Sequence, residues 1–148
     1  GPGAPVRAFN HYLGESSVTL FGTASLVEAC TGSFPACLDD APLLLPTSNT
    51  TLRRVLDGWF EKHSIRPRLV GEFEDSALLK AFGERGKGLF FAPSIATESI
   101  VSQYGVRAVA EIEEVTEQFY AISVQKRLRN PAAIAIRDNA RARLGLVT

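Results

Sequence analysis

Between Ala41 and Ser94 the hydrophobic pattern alternates between short apolar runs and helical spacing, which predicts strand, helix, strand, helix, strand. Leu43-Leu44-Leu45 is a short apolar run stopped by Pro46. Thr47-Ser48-Asn49-Thr50 then offers consecutive side-chain oxygens able to cap a helix. Leu52, Val55, Leu56, Trp59 and Phe60 follow at i, i+3, i+4, i+7 and i+8, which is one helical face. The second cycle runs from a strand over Arg68 to Phe73, through a cap at Asp75 or Ser76, into a helix carrying Ala77, Leu78, Leu79, Ala81 and Phe82. Leu89-Phe90-Phe91 is the third strand, and Ser94 is placed to cap a further helix through Ile95, Ile100 and Val101. The pattern is that of a parallel α/β unit.

The flanks are less regular. Val6 to Leu13 alternates as a strand, breaks at Gly14-Glu15-Ser16 and resumes from Ser17 to Phe21, so the break marks a crossing point. Thr23 to Asp40 reads mostly as loop, with one helical turn over Ser25 to Ala29. Val106, Ala108, Ala110 and Ile112 alternate, and the acidic run from Glu111 to Glu117 marks a second crossing point. Phe119 to Val124 is a strand, and Asn130-Pro131 opens a last helix that carries Arg137, Arg141 and Arg143 toward its positive-charge-favouring end.

Ligands of open parallel sheets bind beyond the carboxyl ends of the strands, where helix N-termini present free N–H groups. That rule selects Thr47, Ser48, Asn49, Thr50, Asp75, Ser76, Pro93 and Ser94 as candidate ligand-binding residues. Each has a plain structural role as well: Thr47 to Thr50 reads equally as cap and as contact, and Asp75 and Ser76 read first as caps. Glu72 and Glu74 are the speculative cation ligands, with Asp75 and the carboxylates Glu111, Glu113, Glu114 and Glu117 as further oxygen donors; a solvated acidic face is the ordinary reading of such a cluster. Helix N-termini repel a positive ion, so a cation would be held away from the caps.

Composition narrows the function classes. The 148 residues hold 16 basic and 16 acidic side chains, a net charge of zero that leaves no electrostatic footprint for a nucleic-acid backbone. No apolar run reaches the length of a membrane span and no signal segment opens the chain, so a cytoplasmic protein without membrane attachment is expected. Cys30 and Cys37 lack metal or redox spacing and read as reduced structural thiols. His11 and His63 have no nucleophile, H-E-x-x-H or G-x-S-x-G near them, so no catalysis, cofactor or metal is expected. The glycine-rich stretch from Gly83 to Gly88 follows a helix and precedes a strand, the wrong order for a phosphate loop, and reads as a helix-ending turn.

Phe34-Pro35-Ala36-Cys37-Leu38, Leu43-Leu44-Leu45-Pro46, the run from Leu52 to Phe60, the run from Gly71 to Gly83 and Phe91-Ala92-Pro93 together resemble the effector-binding region of LysR-type transcriptional regulators. Within that family the likeness is to the activators of sodium/proton antiporter expression, which implies a response linked to sodium and pH. The resemblance implies a type II periplasmic-binding-protein-like fold, α/β in class. One complete subdomain is expected over residues 17–115, and residues 4–16 and 116–148 would supply strands and a helix of the other. It implies a small-molecule or ion effector, a homo-oligomer through the Leu52 to Phe60 helix, and DNA binding only through an N-terminal domain absent from this chain. Effectors in the family lie at the turn corresponding to Thr47 to Thr51. A solute-binding protein of the same topology and a small α/β enzyme are the alternatives.

Overall fold

The structure is a computed structural model that describes residues 7–125. The helix expected from Asn130-Pro131, with Arg137, Arg141 and Arg143, lies outside the described residues, as does Val6. The chain divides into two compact units, Gly14–Gln118 and a second made of Gly1–Leu13 with Phe119–Thr148.

The elements in order are β1 (Arg7–Gly22), α1 (Ala24–Ala29), a 3-10 turn (Ala36–Leu38), β2 (Pro42–Pro46), α2 (Thr51–Lys62), β3 (Arg68–Phe73), α3 (Ser76–Glu84), β4 (Leu89–Pro93), a 3-10 turn (Ser94–Ala96), α4 (Thr97–Tyr104) and β5 (Arg107–Gln125). They form a five-stranded sheet of order β3-β2-β4-β1-β5. β2 is parallel to β3 and to β4, as the strand-helix-strand pattern requires. β1 returns antiparallel to β4, with Val18 opposite Pro93 and Phe21 opposite Phe90.

Alternation along the strands divides the core in two. Leu43, Leu45, Leu89, Phe91, Val18 and Leu20 turn to one side and pack with Leu56, Trp59 and Phe60 of α2. Leu44, Phe90, Ala92 and Phe21 turn to the other and pack with Leu79 of α3 and Ile100 of α4. Trp59 and Phe60 are therefore core residues, and of the expected α2 stripe Val55 alone is exposed.

The break expected at Gly14-Glu15-Ser16 is absent. β1 runs unbroken through Gly14-Glu15-Ser16, with Gly14 at φ 136°, a value that side-chain-bearing residues rarely adopt. β5 runs unbroken through the acidic run, because Glu111, Glu113 and Glu114 face solvent while Ile112 and Val115 are buried. Ile112 and Val115 are three positions apart yet join the same core, so alternation slips by one between them, as at a bulge. The expected cap at Ser94 is also replaced. Ala96 occupies the N-cap of α4 without a side-chain bond, and Ile95, expected on the core face, is 79% exposed.

Cys30 donates its thiol to the Cys37 carbonyl oxygen at 3.3 Å, and both cysteines are free. Burial, then the hydrogen bond to Cys37, pushes the Cys30 thiol up to about 12, which keeps it protonated and a poor nucleophile.

Candidate functional site

Register places the carboxyl ends of three strands along one rim of the sheet. Pro46 lies opposite Phe73, β4 ends at Pro93, and Pro93 lies opposite Val18. Two polar groups occupy this rim.

The first is the turn between β2 and α2. The Thr47 N–H donates to the Phe73 carbonyl at 3.1 Å, which seats the turn on the end of β3. Thr47 Oγ1 donates to Asn49 Oδ1 at 2.8 Å, and Thr50 Oγ1 donates to the Thr47 carbonyl at 2.9 Å. Thr50 is the N-cap, accepting from the Arg53 N–H at 3.2 Å. Ser48 and Asn49 are exposed at the tip. Arg53, with 13% of its side chain exposed, braces the turn by donating to the Pro46 carbonyl at 2.9 Å, Asp57 at 3.0 Å and Glu72 at 3.1 Å. Burial opposes the Arg53 charge, but the hydrogen bonds to Asp57 and Glu72 outweigh it and raise the guanidinium above its ordinary value.

Asp75 caps α3, accepting from the Ala77 N–H at 2.8 Å, and Ser76 is the exposed first residue of that helix. Glu74 is exposed and Glu72 is engaged by Arg53. Among the described residues no three His, Cys, Asp or Glu side chains converge as a metal site would require.

The second group joins β4, β1 and β5. Ser94 Oγ lies 2.8 Å from Ser17 Oγ and 2.8 Å from Thr19 Oγ1, and Ser17 donates to Glu111 Oε1 at 2.5 Å. Ser16 donates to the Ser17 carbonyl at 2.8 Å and accepts from the Ile95 N–H at 3.3 Å, while Thr97 donates to the Ser94 carbonyl at 2.7 Å. These side chains border a cleft of about 610 Å³. Ser16 and Thr19 are each only 5% exposed, and buried hydroxyls are retained in a strand only with such partners. Of this group the strand-end rule selects Pro93 and Ser94 but misses Ser16, Ser17, Thr19 and Thr97. The available signal was the polar spacing Ser16-Ser17-Val18-Thr19 at the start of an otherwise apolar strand.

The LysR substrate binding domain family matches residues 12–145. The transcriptional activator protein NhaR of Escherichia coli (strain K12) is 32% identical over 124 residues, which is 84% of this chain and 40% of that protein; NhaR of Shigella flexneri matches with the same figures. The chain thus spans about two fifths of the length of these relatives. Among solved structures, the regulatory domain of HypT from Salmonella typhimurium superposes with a TM-score of 0.64 at 16% identity, covering 95% of this chain and 66% of that one. The AmpR effector-binding domain from Citrobacter freundii gives 0.61 at 16% identity, covering 95% and 69%. Both carry the type II periplasmic-binding-protein-like arrangement, and the sheet described above is its α/β core.

Proposed function

The chain belongs to the LysR substrate-binding domain family, and from that membership we propose that it is the effector-sensing part of a NhaR-like transcriptional activator. The observation that carries the reading is the polar rim along one end of the sheet, where the Thr47 to Thr50 turn and the Ser94 hydroxyl group lie at the ends of adjacent parallel strands. Residues 17–115 are proposed as the complete subdomain, and the flanking segments as parts of the other.

The finer parts of the reading are proposals of the same kind. The intact regulator acts in the cytoplasm, binds DNA through a domain outside this chain and responds to a small molecule or ion. A sodium- and pH-linked response follows from the likeness to antiporter activators. Side-by-side pairing of copies through α2 would use its outer residues, Val55 foremost, because Leu56, Trp59 and Phe60 are spent on the core. No catalysis is proposed, since the family is a regulatory one.

The test is a pair of titrations. The 148-residue chain should show no sequence-specific DNA binding by fluorescence anisotropy, in keeping with its zero net charge. The full-length regulator should bind a promoter fragment, and added sodium chloride, compared with potassium chloride at equal ionic strength, should change its footprint. Specific binding by the short chain, or a footprint indifferent to every effector tried, would overturn the reading.

A further inference from the structure

We propose that Cys30 and Cys37 form a dithiol site that a hydroperoxide converts to a disulfide within the chain, Cys37 reacting first and Cys30 closing the bridge. The site uses no residue of the polar rim and goes beyond the effector reading.

Geometry carries the inference. The two cysteines are seven positions apart, a spacing with no redox signature, yet the chain folds back so that Cys30 Sγ donates to the Cys37 carbonyl oxygen at 3.3 Å. That oxygen is two bonds from the Cys37 Cα, so the Cys30 sulfur already lies beside the residue it would bridge. Backbone hydrogen bonds hold both ends of the loop. The Cys30 N–H donates to the Leu26 and Val27 carbonyls at 3.2 Å, and the Cys37 N–H to the Ser33 carbonyl at 2.9 Å. Between them Thr31, Gly32 and Ser33 are exposed, so the loop can take up the small movement that a bond requires without disturbing the core. Both thiols are free and half-buried, within reach of a small oxidant.

The two sulfurs are not equivalent. The Cys30 proton is given to the Cys37 carbonyl, and burial, then the hydrogen bond and charge of Cys37, keep it in place, which leaves Cys37 as the attacking thiol. In the first step the Cys37 sulfur attacks one oxygen of the hydroperoxide. The S–O bond forms, the O–O bond breaks, and the thiol proton leaves with the departing oxygen as an alcohol, or as water from hydrogen peroxide. Cys37 is then a sulfenic acid. In the second step the Cys30 sulfur attacks the Cys37 sulfur, the S–S bond forms, the S–O bond breaks, and the Cys30 proton leaves with the hydroxyl as water. One hydroperoxide is reduced and two thiols are oxidised, with no further reactant.

The bridge is felt at α2. Phe34, inside the loop, packs on Trp59 with ring centroids 6.0 Å apart, and Trp59 is the one tryptophan of the chain, so closing the loop changes its fluorescence.

The 148-residue chain treated with hydrogen peroxide, then analysed by intact mass and non-reducing peptide mapping, tests the proposal. The product should lack two hydrogen atoms, contain a peptide linked through Cys30 and Cys37, show altered Trp59 fluorescence and revert with dithiothreitol. Cys30→Ser should stop at a Cys37 sulfenic acid trapped by dimedone, whereas Cys37→Ser should consume peroxide about tenfold more slowly than the parent. Circular dichroism confirms that each variant is folded, and the mass of the parent chain is a readout that needs no variant. Thiols that stay reduced while free cysteine in the same solution is oxidised, cross-links formed only between chains, or Cys37→Ser reacting as fast as the parent would each overturn the proposal.

Discussion

Trp59 of α2 donates its indole N–H to Glu114 of β5 at 2.6 Å, so a buried aromatic of the helix is tied to a carboxylate on the strand at the far edge of the sheet. Lys62 reaches the other oxygen of the same carboxylate at 2.8 Å, and His63 Nε2 lies 3.0 Å from the first. The His63 ring also packs on Trp59, with centroids 4.9 Å apart. Sequence separates these partners by more than fifty positions, and only the sheet order brings them together.

The pH dependence of stability should carry the mark of Glu114. The hydrogen bonds from Lys62, Trp59 and His63, in that order, hold its carboxyl down at about 2 against an ordinary value of 4.5. A depressed carboxylate stabilises the fold fully above its unfolded value, and that contribution is lost as pH falls through the folded one. Urea unfolding of the parent chain and Glu114→Gln should therefore differ most above pH 4.5 and converge toward pH 2. A constant difference across that window would refute the assignment. Because the group is solvent-exposed, raising the salt concentration should shrink the difference as well.

Breaking the hydroxyl group at Ser94 should cost about 1–3 kcal/mol, since Thr19 is left buried with its partner removed. Thr19→Val together with Ser94→Ala should cost less than the sum of the single changes, because the pair then leaves fewer unsatisfied groups. Chemical denaturation of the four proteins in the cycle checks this, and strict additivity would contradict it.

Thr50→Ala should lower stability by about 0.5–2 kcal/mol through loss of the α2 cap. Ser48→Ala, at the exposed tip of the same turn, should stay within about 0.5 kcal/mol. If the turn contacts effector, Ser48→Ala should still reduce reporter induction by the full-length regulator. Thermal unfolding and the reporter read the two effects independently.

Gly83→Ala should destabilise by about 1–3 kcal/mol. A methyl group at Gly83 would run into the ring of Phe90, which is 0% exposed and stacked with Phe21. Calorimetric unfolding should show the loss, and Phe90→Leu should relieve part of it in the double variant.

The sequence by itself determined the local elements of the central unit. The run of leucines ended by Pro46, the helical spacing from Leu52 to Phe60, and caps within Thr47 to Thr50 and at Asp75 or Ser76 are near-neighbour effects, readable because their partners lie within a few residues; the structure selects Thr50 and Asp75 among them. The tertiary structure alone decided what depends on distant partners. The strand break expected at Gly14 vanishes because hydrogen bonding to neighbouring strands overrides a local turn preference. Ser94, read as a cap, is drawn to Ser17 and Thr19 because β1 returns antiparallel along β4, opposing Thr19 to Ala92 and Val18 to Pro93. Glu111, one acid among several in the sequence, gains its place beside the cleft from a hydroxyl ninety-four positions earlier. A pairing between residues so far apart has no short-range signature, since the energy that selects it is shared over the whole sheet.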